Sequence, residues 1–277
     1  MGAPSSIPPF EGDILLLGAG RMGSAMLKGW LQAGIDPKQV AVLDPSPAPA
    51  AREMIERHGI RLNPPAPAPA VLVAAVKPQV MAEALAALPG SVKTARPLVL
   101  SIAAGTPVAA FTGALGDVPV VRAMPNTPAA VGKGMTGFFA SGNVSEEQKA
   151  LARALLGVLG RVAEVETEAD IDKVTAVSGS GPAYLFLLTE CLARAARALG
   201  LPAESADELA RQTVIGAAAL LEASGDEPAE LRRAVTSPGG TTEAALEVLM
   251  REDGGLCALL EEAVKAAERR ARELAGN

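Results

Sequence analysis

Residues 13–30, DILLLGAGRMGSAMLKGW, constrain the fold of this chain more than any other stretch. A short apolar run, residues 14–17, leads into three glycines spaced as G-x-G-x-x-G, and the apolar residues that follow recur at helical spacing. This order predicts a strand, a tight turn and a helix. Gly18 permits the turn, Gly20 lets backbone N–H groups approach a pyrophosphate, and Gly23 lets the helix pack closely on the strand. The stretch therefore predicts a dinucleotide site, with a purely structural glycine turn as the alternative.

Length and composition limit what can be built around this turn. The 277 residues, 49% of them hydrophobic, suffice for two domains with filled cores. The formal net charge of −6, without any basic run, argues against nucleic acid or an anionic membrane as a partner. No segment reaches ~18 consecutive apolar residues, and the start of the chain shows no secretory signal pattern. We therefore expect a cytoplasmic protein.

The cysteines and the histidine offer little catalytic chemistry. Cys191 and Cys257 lie in apolar, helix-like surroundings without C-x-x-C spacing, so we expect small buried residues in a reducing compartment and no metal site. His58 is the only histidine, and it falls where a helix is predicted to end, a position typical of a solvated side chain. It is a poor candidate for a catalytic acid.

Strands and helices alternate up to about residue 165. After the first strand, further strands are predicted at residues 40–43, 71–76, 98–102, 118–122, 135–140 and 162–165. This alternation predicts an α/β fold with a mostly parallel, doubly wound sheet. We expect a Rossmann-type dinucleotide-binding domain over residues 1–165 and an all-α domain over residues 166–277.

Asp44 and the pair Lys77 and Pro78 each follow a predicted strand, at the carboxyl ends of the strands, where ligands bind in such folds. Asp44 ends the second strand, 26 residues after Gly18, where a carboxylate accepts hydrogen bonds from an adenosine ribose and repels a 2′-phosphate. The alternative is an ordinary solvated aspartate, because this spacing exceeds the usual ~20 residues. Lys77 and Pro78 follow the strand at residues 71–76, and here a bland surface lysine is the alternative.

The second predicted domain combines apolar helices with polar loops. Residues 184–188 and 214–221 are apolar on more than one helix face, which favours burial against a second subunit over a monomeric bundle. The loops at residues 178–182 and 236–242 are rich in glycine and hydroxyl groups, and each precedes a helix. One such loop is explained by a helix cap, whereas two favour a small anionic substrate.

Six motifs in this order give the chain a resemblance to the pyrroline-5-carboxylate reductase family. They are GAGRMG (18–23), AVKP (75–78), SIAAG (101–105), RAMPNTPA (122–129), TAVSGSGPAY (175–184) and TSPGGTTEAALEVL (236–249). The resemblance implies reduction of 1-pyrroline-5-carboxylate to L-proline with NADPH or NADH, the last step of proline biosynthesis. It also implies a Rossmann domain followed by an all-α dimerisation domain, and a homodimer that assembles further into a decamer.

The resemblance also implies site residues. Together with the glycine turn and Asp44, the cofactor set comprises Gly18, Ala19, Gly20, Arg21, Met22, Gly23, Asp44, Ala75, Val76, Lys77, Pro78, Ala103 and Ala104. The implied substrate-binding residues are Glu168, Gly240, Thr241 and Thr242, and the implied catalytic residues are Thr242 and Ser237.

The chain departs from the family pattern at the cofactor. Arg21 stands where asparagine or another small polar residue is common, and Gly23 stands where alanine is common. Asp44 with Pro45 stands where members that prefer NADP carry serine, arginine or threonine. Two other functions remain as alternatives. A 3-hydroxyacid dehydrogenase would use a lysine as acid, with Lys173 or Lys133 as candidates, and a silent sensor would bind NAD(H) without turnover.

Overall fold

The structure is a computed structural model and describes residues 7–275. Residues 1–6 and 276–277 lie outside the described part, including the start of the chain, where no secretory signal was expected. The chain forms two compact units. The first comprises the described residues up to Gly179 and those from Glu268 onward, and the second is Ser180–Ala267. The division falls later than the predicted boundary after residue 165, because helix α7 (Asp170–Val174) packs on the sheet of the first unit.

The first unit is built on an eight-stranded sheet in the order β3-β2-β1-β4-β5-β6-β7-β8. Every neighbouring pair is parallel except β6 and β7. The strand order reverses between β1 and β4, which opens a crevice at the carboxyl ends of these strands. This topology confirms the predicted α/β fold with an N-terminal Rossmann-type domain. The strands are β1 (Ile14–Leu17), β2 (Val40–Leu43), β3 (Arg61–Leu62), β4 (Val71–Ala74), β5 (Leu98–Ser101), β6 (Val120–Met124), β7 (Gly134–Ala140) and β8 (Gly160–Glu164).

Helices cover both faces of this sheet. Ile14 and Leu16 of β1 face one side, where Trp30 packs and donates its indole N–H to the carbonyl of Leu155 at 3.0 Å. Leu15 faces the other side with Phe111. Burial on both faces explains why the central strands are continuous apolar runs. Besides α7, the helices are α1 (Arg21–Gln32), α2 (Pro49–His58), α3 (Pro78–Ala86), α4 (Gly90–Ala95), α5 (Val108–Leu115) and α6 (Glu146–Gly157).

The second unit is helical, as predicted. Its buried apolar side chains are small alanines such as Ala193 and Ala206, whereas Phe186 is 63% exposed and Leu187 is 59% exposed. The unit leaves large apolar faces uncovered in a single chain. Its helices are α8 (Gly181–Ala198), α9 (Ala203–Ser224), α10 (Pro228–Ala234), α11 (Thr241–Leu249) and α12 (Leu256–Ala275), of which the end of α12 belongs to the first unit.

Two local expectations are wrong. Cys257 is exposed and Cys191 is only partly buried, because the helices that carry them have uncovered faces in this chain. The open loop expected at residues 178–182 is largely helical: Thr175–Gly179 is a π-helical segment, and α8 begins two residues later. The hydroxyl of Ser178 is engaged, since it donates to the carbonyl of Val174 at 3.1 Å.

Membrane-crossing helices and metal clusters are both missing from residues 7–275. No helix there is long and apolar enough to cross a bilayer. No group of three or more His, Cys, Asp or Glu side chains is placed there to hold a metal ion.

Candidate functional site

The glycine turn after β1 has a different geometric reason for each glycine. Gly18 adopts φ +93°, and a Cβ there would lie 2.7 Å from Cγ1 of Val76. A Cβ at Gly23 would lie 2.3 Å from the carbonyl oxygen of Gly18, so only glycine lets α1 approach the turn this closely. Around Gly20 a Cβ would meet no described atom within 4 Å. The backbone at Gly20 is therefore open to a ligand.

The N-terminus of α1 is suited to an anion. Gly20 is its N-cap and supplies no side chain to the free N–H groups, and the first turn carries no acidic residue. The exposed Arg21 adds a positive charge to this end of the helix. Uncapped N–H groups and the helix dipole both favour a negative ligand. A dinucleotide pyrophosphate fits this donor set.

A cavity of about 680 Å³ opens beside this turn, at the carboxyl ends of β1, β2 and β4. It brings together six of the predicted cofactor residues: Gly18, Gly20, Asp44, Ala75, Val76 and Lys77. Other members of the set lie nearby in the chain, with Ala19 buried and Met22 partly buried in the turn and first helix. The cavity therefore lies at the position where sheets of this topology bind a dinucleotide.

A second cavity of about 690 Å³ lies between α3 and α5. Two residues of the predicted cofactor set, Pro78 and Ala104, line this cavity, whereas Ala103 is buried in the protein. Gly105 adopts φ +67°, and a Cβ there would lie 3.2 Å from the carbonyl oxygen of Leu274 at the end of α12. The turn that carries Ala103 and Ala104 is thus packed closely against the last turn of that helix.

Asp44 is fixed by the backbone around it. Its Oδ2 accepts the N–H of Ala19 at 2.7 Å, and its Oδ1 accepts the N–H of Ser46 at 2.7 Å. Both carboxylate oxygens therefore have backbone donors and keep further lone pairs for a ligand. The side chain is partly buried and lines the cavity. Asp44 joins the end of β2 to the glycine turn, so the carboxylate stands at a defined place.

Asn63 is a cavity residue that sequence reasoning missed. Its Oδ1 accepts the N–H of Asp44 at 2.9 Å, and its Nδ2 donates to the carbonyl of Asp44 at 3.0 Å. It adopts φ +49°, a conformation that asparagine tolerates better than most residues. The available signal was an asparagine directly before a proline-rich connector, since asparagine is enriched among residues with positive φ.

Glu168 lies in the first unit and is held by structural partners. Its Oε1 accepts the N–H of Val108, at the start of α5, at 2.8 Å and pairs with Nη1 of Arg122 at 3.1 Å. Arg122 is only 2% exposed, and its Nη2 also lies 3.4 Å from Oδ1 of Asp172. Sequence reasoning missed this cluster, because its members come from three separate elements. Glu168 therefore links β6, α5 and the segment before α7.

The remaining predicted site residues lie in the second unit, in the turn before α11 and in the first turn of that helix. Ser237 and Thr241 are exposed, whereas Gly240 and Thr242 are partly buried. Gly240 is the N-cap of α11 and offers no side chain to the helix N–H groups. Hydroxyl groups therefore lie beside an uncapped helix N-terminus, a set of donors that suits a small carboxylate.

Two family models match this chain. The model described as pyrroline-5-carboxylate reductase dimerisation matches residues 168–274. The model described as NADP oxidoreductase coenzyme F420-dependent matches residues 13–105. The match at residues 13–105 contains the glycine turn and the residues that line the cavity beside it, and the match at residues 168–274 contains the turn before α11.

Similar proteins cover nearly the whole chain. The pyrroline-5-carboxylate reductase of Pseudomonas aeruginosa is 43% identical over 95% of this chain and 96% of its own, and that of a Synechocystis strain is 41% identical over 94% and 97%.

Solved structures agree. A pyrroline-5-carboxylate reductase from Coxiella burnetii has a TM-score of 0.87 at 38% identity and covers 95% of this chain and 98% of its own. The Plasmodium falciparum pyrroline carboxylate reductase with NADP bound has a TM-score of 0.76 at 27% identity, with 96% and 98% covered. With this identity over nearly its full length, the chain belongs to the pyrroline-5-carboxylate reductase family of NAD(P)H-dependent oxidoreductases.

Proposed function

We propose that this chain reduces 1-pyrroline-5-carboxylate to L-proline with NADPH or NADH, the last step of proline biosynthesis. The observation that carries the proposal is the identity of 40–43% with three reductases of this name over at least 94% of the chain. The open glycine turn, the uncapped α1 and the position of Asp44 support a dinucleotide as cofactor. The bound dinucleotide supplies the hydride.

Reduction of a cyclic imine requires little proton transfer from the protein. A cyclic imine is basic enough to arrive substantially protonated, and addition of a hydride to the carbon of the protonated form yields a neutral amine. No histidine is then needed, and the single histidine, His58, is exposed at the end of α2. What the protein supplies is orientation of the imine and a cradle for its carboxylate.

The proposed roles follow the chemistry of each group. The Thr242 hydroxyl interacts with the ring nitrogen, and Ser237, Gly240 and Thr241 contact the substrate carboxylate. Glu168 contacts the substrate through Oε2, the oxygen that does not bind Val108 and Arg122. The cofactor residues hold the dinucleotide in the cavity beside the glycine turn.

The hydroxyacid dehydrogenase alternative is disfavoured by the lysines. Such an enzyme needs a lysine that gives up its proton to the developing alkoxide. The Nζ of Lys173 lies 2.6 Å from Oδ1 of Asp170, and this carboxylate raises the pKa of the lysine. Lys133 is exposed and directly precedes β7. A raised pKa weakens Lys173 as a proton donor, so the imine substrate is preferred.

The proposed assembly is a homodimer, and further assembly into a decamer, in the cytoplasm. The matched dimerisation model and the exposed apolar side chains of α8 support self-association. The negative formal charge supports a small-molecule substrate rather than nucleic acid.

The deciding experiment is NAD(P)H oxidation by the purified chain with 1-pyrroline-5-carboxylate, run beside a 3-hydroxyacid with NAD(P)⁺. We expect turnover with the imine, formation of L-proline, and no turnover of the hydroxyacid. The opposite pattern would identify a hydroxyacid dehydrogenase. Dinucleotide binding without turnover of either substrate would identify a sensor.

A further inference from the structure

The turn before α11 is closed by a hydrogen bond within its own backbone. The N–H of Gly240 donates to the carbonyl of Ser237 at 2.9 Å, with Pro238 and Gly239 between them. Gly239 adopts φ +69°, and a proline followed by a residue at positive φ is the pattern of a type II turn. A Cβ at Gly240 would lie 2.9 Å from the carbonyl oxygen of Ser237. Glycine is therefore needed at both positions, for the positive φ of Gly239 and for the close approach at Gly240.

Glu243 attaches this turn to the helix that follows. It is the third residue of α11, and its Oε2 accepts the N–H of Gly239 at 2.6 Å. A backbone donor on a carboxylate makes a charge-assisted bond, which is stronger than one between neutral groups. The N-cap, Gly240, supplies no side chain of its own. The carboxylate of Glu243 thus bridges the centre of the turn and the first turn of α11.

We propose that Glu243 is a positioning residue for the substrate. It holds residues 237–240 against the start of α11, and so keeps the hydroxyls of Ser237 and Thr242 in one arrangement. The proposal rests on the proposed function, in which this turn contacts the substrate. Glu243 acts through Gly239 and does not touch the substrate.

The negative charge of Glu243 is also expected to weaken substrate binding, so its hydrogen bond and its charge affect KM in opposite directions. Its negative charge lies at the helix N-terminus that receives the substrate carboxylate, and like charges there weaken binding. Glu243→Gln keeps an oxygen acceptor for Gly239 and removes the charge. Glu243→Ala removes both. The two variants therefore separate the bond from the charge.

The test measures KM for 1-pyrroline-5-carboxylate, kcat, Kd for NADH and Tm in the wild type and in three variants. For Glu243→Ala we expect KM to rise about five- to tenfold, as loss of one hydrogen bond predicts, with Kd for NADH unchanged. For Glu243→Gln we expect KM at or below the wild-type value. Glu247→Ala is the matched control, because Glu247 is exposed one turn later on α11, and it should change neither constant.

The remaining outcomes overturn the proposal. A lower Tm with unchanged KM in Glu243→Ala would show that Glu243 only stabilises the helix terminus. A KM in Glu243→Gln as high as in Glu243→Ala would show that the acceptor for Gly239 is not what matters. No turnover of 1-pyrroline-5-carboxylate by the wild type would overturn the proposed function and this role with it, whereas wild-type turnover with unaltered variants would overturn this role alone.

Discussion

The hydroxyl of Thr242 lies in the first turn of α11, two residues after the N-cap Gly240. Thr242→Val keeps the side-chain shape and removes the polar atom. If the hydroxyl contacts the substrate nitrogen, its loss removes a hydrogen bond to a partly charged group, on the order of 1.5–3 kcal/mol, or about one to two decades in kcat/KM. We expect this loss with an unchanged Kd for NADH. Normal turnover with a lowered Tm would assign Thr242 to helix capping instead.

Asp44 is expected to influence the choice between NADH and NADPH. Its carboxylate lines the cavity and is held by Ala19 and Ser46. A 2′-phosphate beside it would make a like-charge contact, so we expect kcat/KM to be at least as high with NADH as with NADPH. Asp44→Asn removes the charge and keeps an acceptor, and it should shift the ratio toward NADPH about tenfold, near 1.4 kcal/mol.

The measurement is kcat/KM with both dinucleotides for the wild type and Asp44→Asn. Asp226→Asn serves as the control, because Asp226 is an exposed aspartate in the second unit. A wild-type preference for NADPH of tenfold or more would mean that another part of the cavity sets the specificity.

At the scale of elements, the stability of α7 should depend on pH through Asp170. Its carboxylate pairs with Lys173 at 2.6 Å and accepts the hydroxyl of Thr167 at 2.7 Å. These contacts, that with Lys173 foremost, lower the pKa of Asp170 to about 2. The folded pKa is below the unfolded value of about 4, so the stabilisation is present above about pH 4 and is lost as pH falls toward 2.

Asp170→Asn tests this dependence. We expect the Tm of the variant to lie below that of the wild type by a constant amount between pH 5 and pH 8. The gap should narrow as pH falls below about 4, because the wild-type carboxyl then takes up its proton. A gap that is the same at pH 3 and pH 7 would show that the charge of Asp170 does not stabilise α7.

The sequence predicted the central elements well, because their patterns are local. The glycine turn and its flanking apolar residues predicted β1 and α1. The apolar run at residues 71–76 predicted β4, although the strand ends two residues earlier, at Ala74. The two-residue β3 and the π-helical Thr175–Gly179 were missed, since neither has a periodic apolar pattern. Serine and glycine after Val177 suggested a loop, whereas packing against the sheet keeps the segment helical.

In the candidate site, too, local features were predictable from sequence and long-range contacts were not. The cavity around Gly18 and Asp44 was predictable, because turn chemistry and strand ends are visible in sequence. The cluster of Arg122, Glu168 and Asp172 was not, because its contacts join residues up to 50 positions apart. Only the folded sheet brings those charges together, and burial of Arg122 makes their pairing necessary.

At the scale of the whole molecule, we expect activity to require at least a dimer. Leu185, Phe186, Leu187 and Leu188 of α8 are each 45–63% exposed in the single chain. Such a patch favours burial against another subunit. Light scattering should therefore give a mass at least twice the chain mass of 28.1 kDa. Activity should fall on dilution as that mass falls. A fully active monomer would contradict this.

The contact of Gly105 with Leu274 bears on the order in which the chain folds during synthesis. About 170 positions separate the two residues, and all of the second unit lies between them. At ~5–20 residues per second, a ribosome needs on the order of 10 to 30 seconds to pass from one to the other. The sheet can form in that interval, but the turn after β5 waits for its neighbour. The nucleotide-binding unit is therefore completed only after every helix of the other unit has been translated.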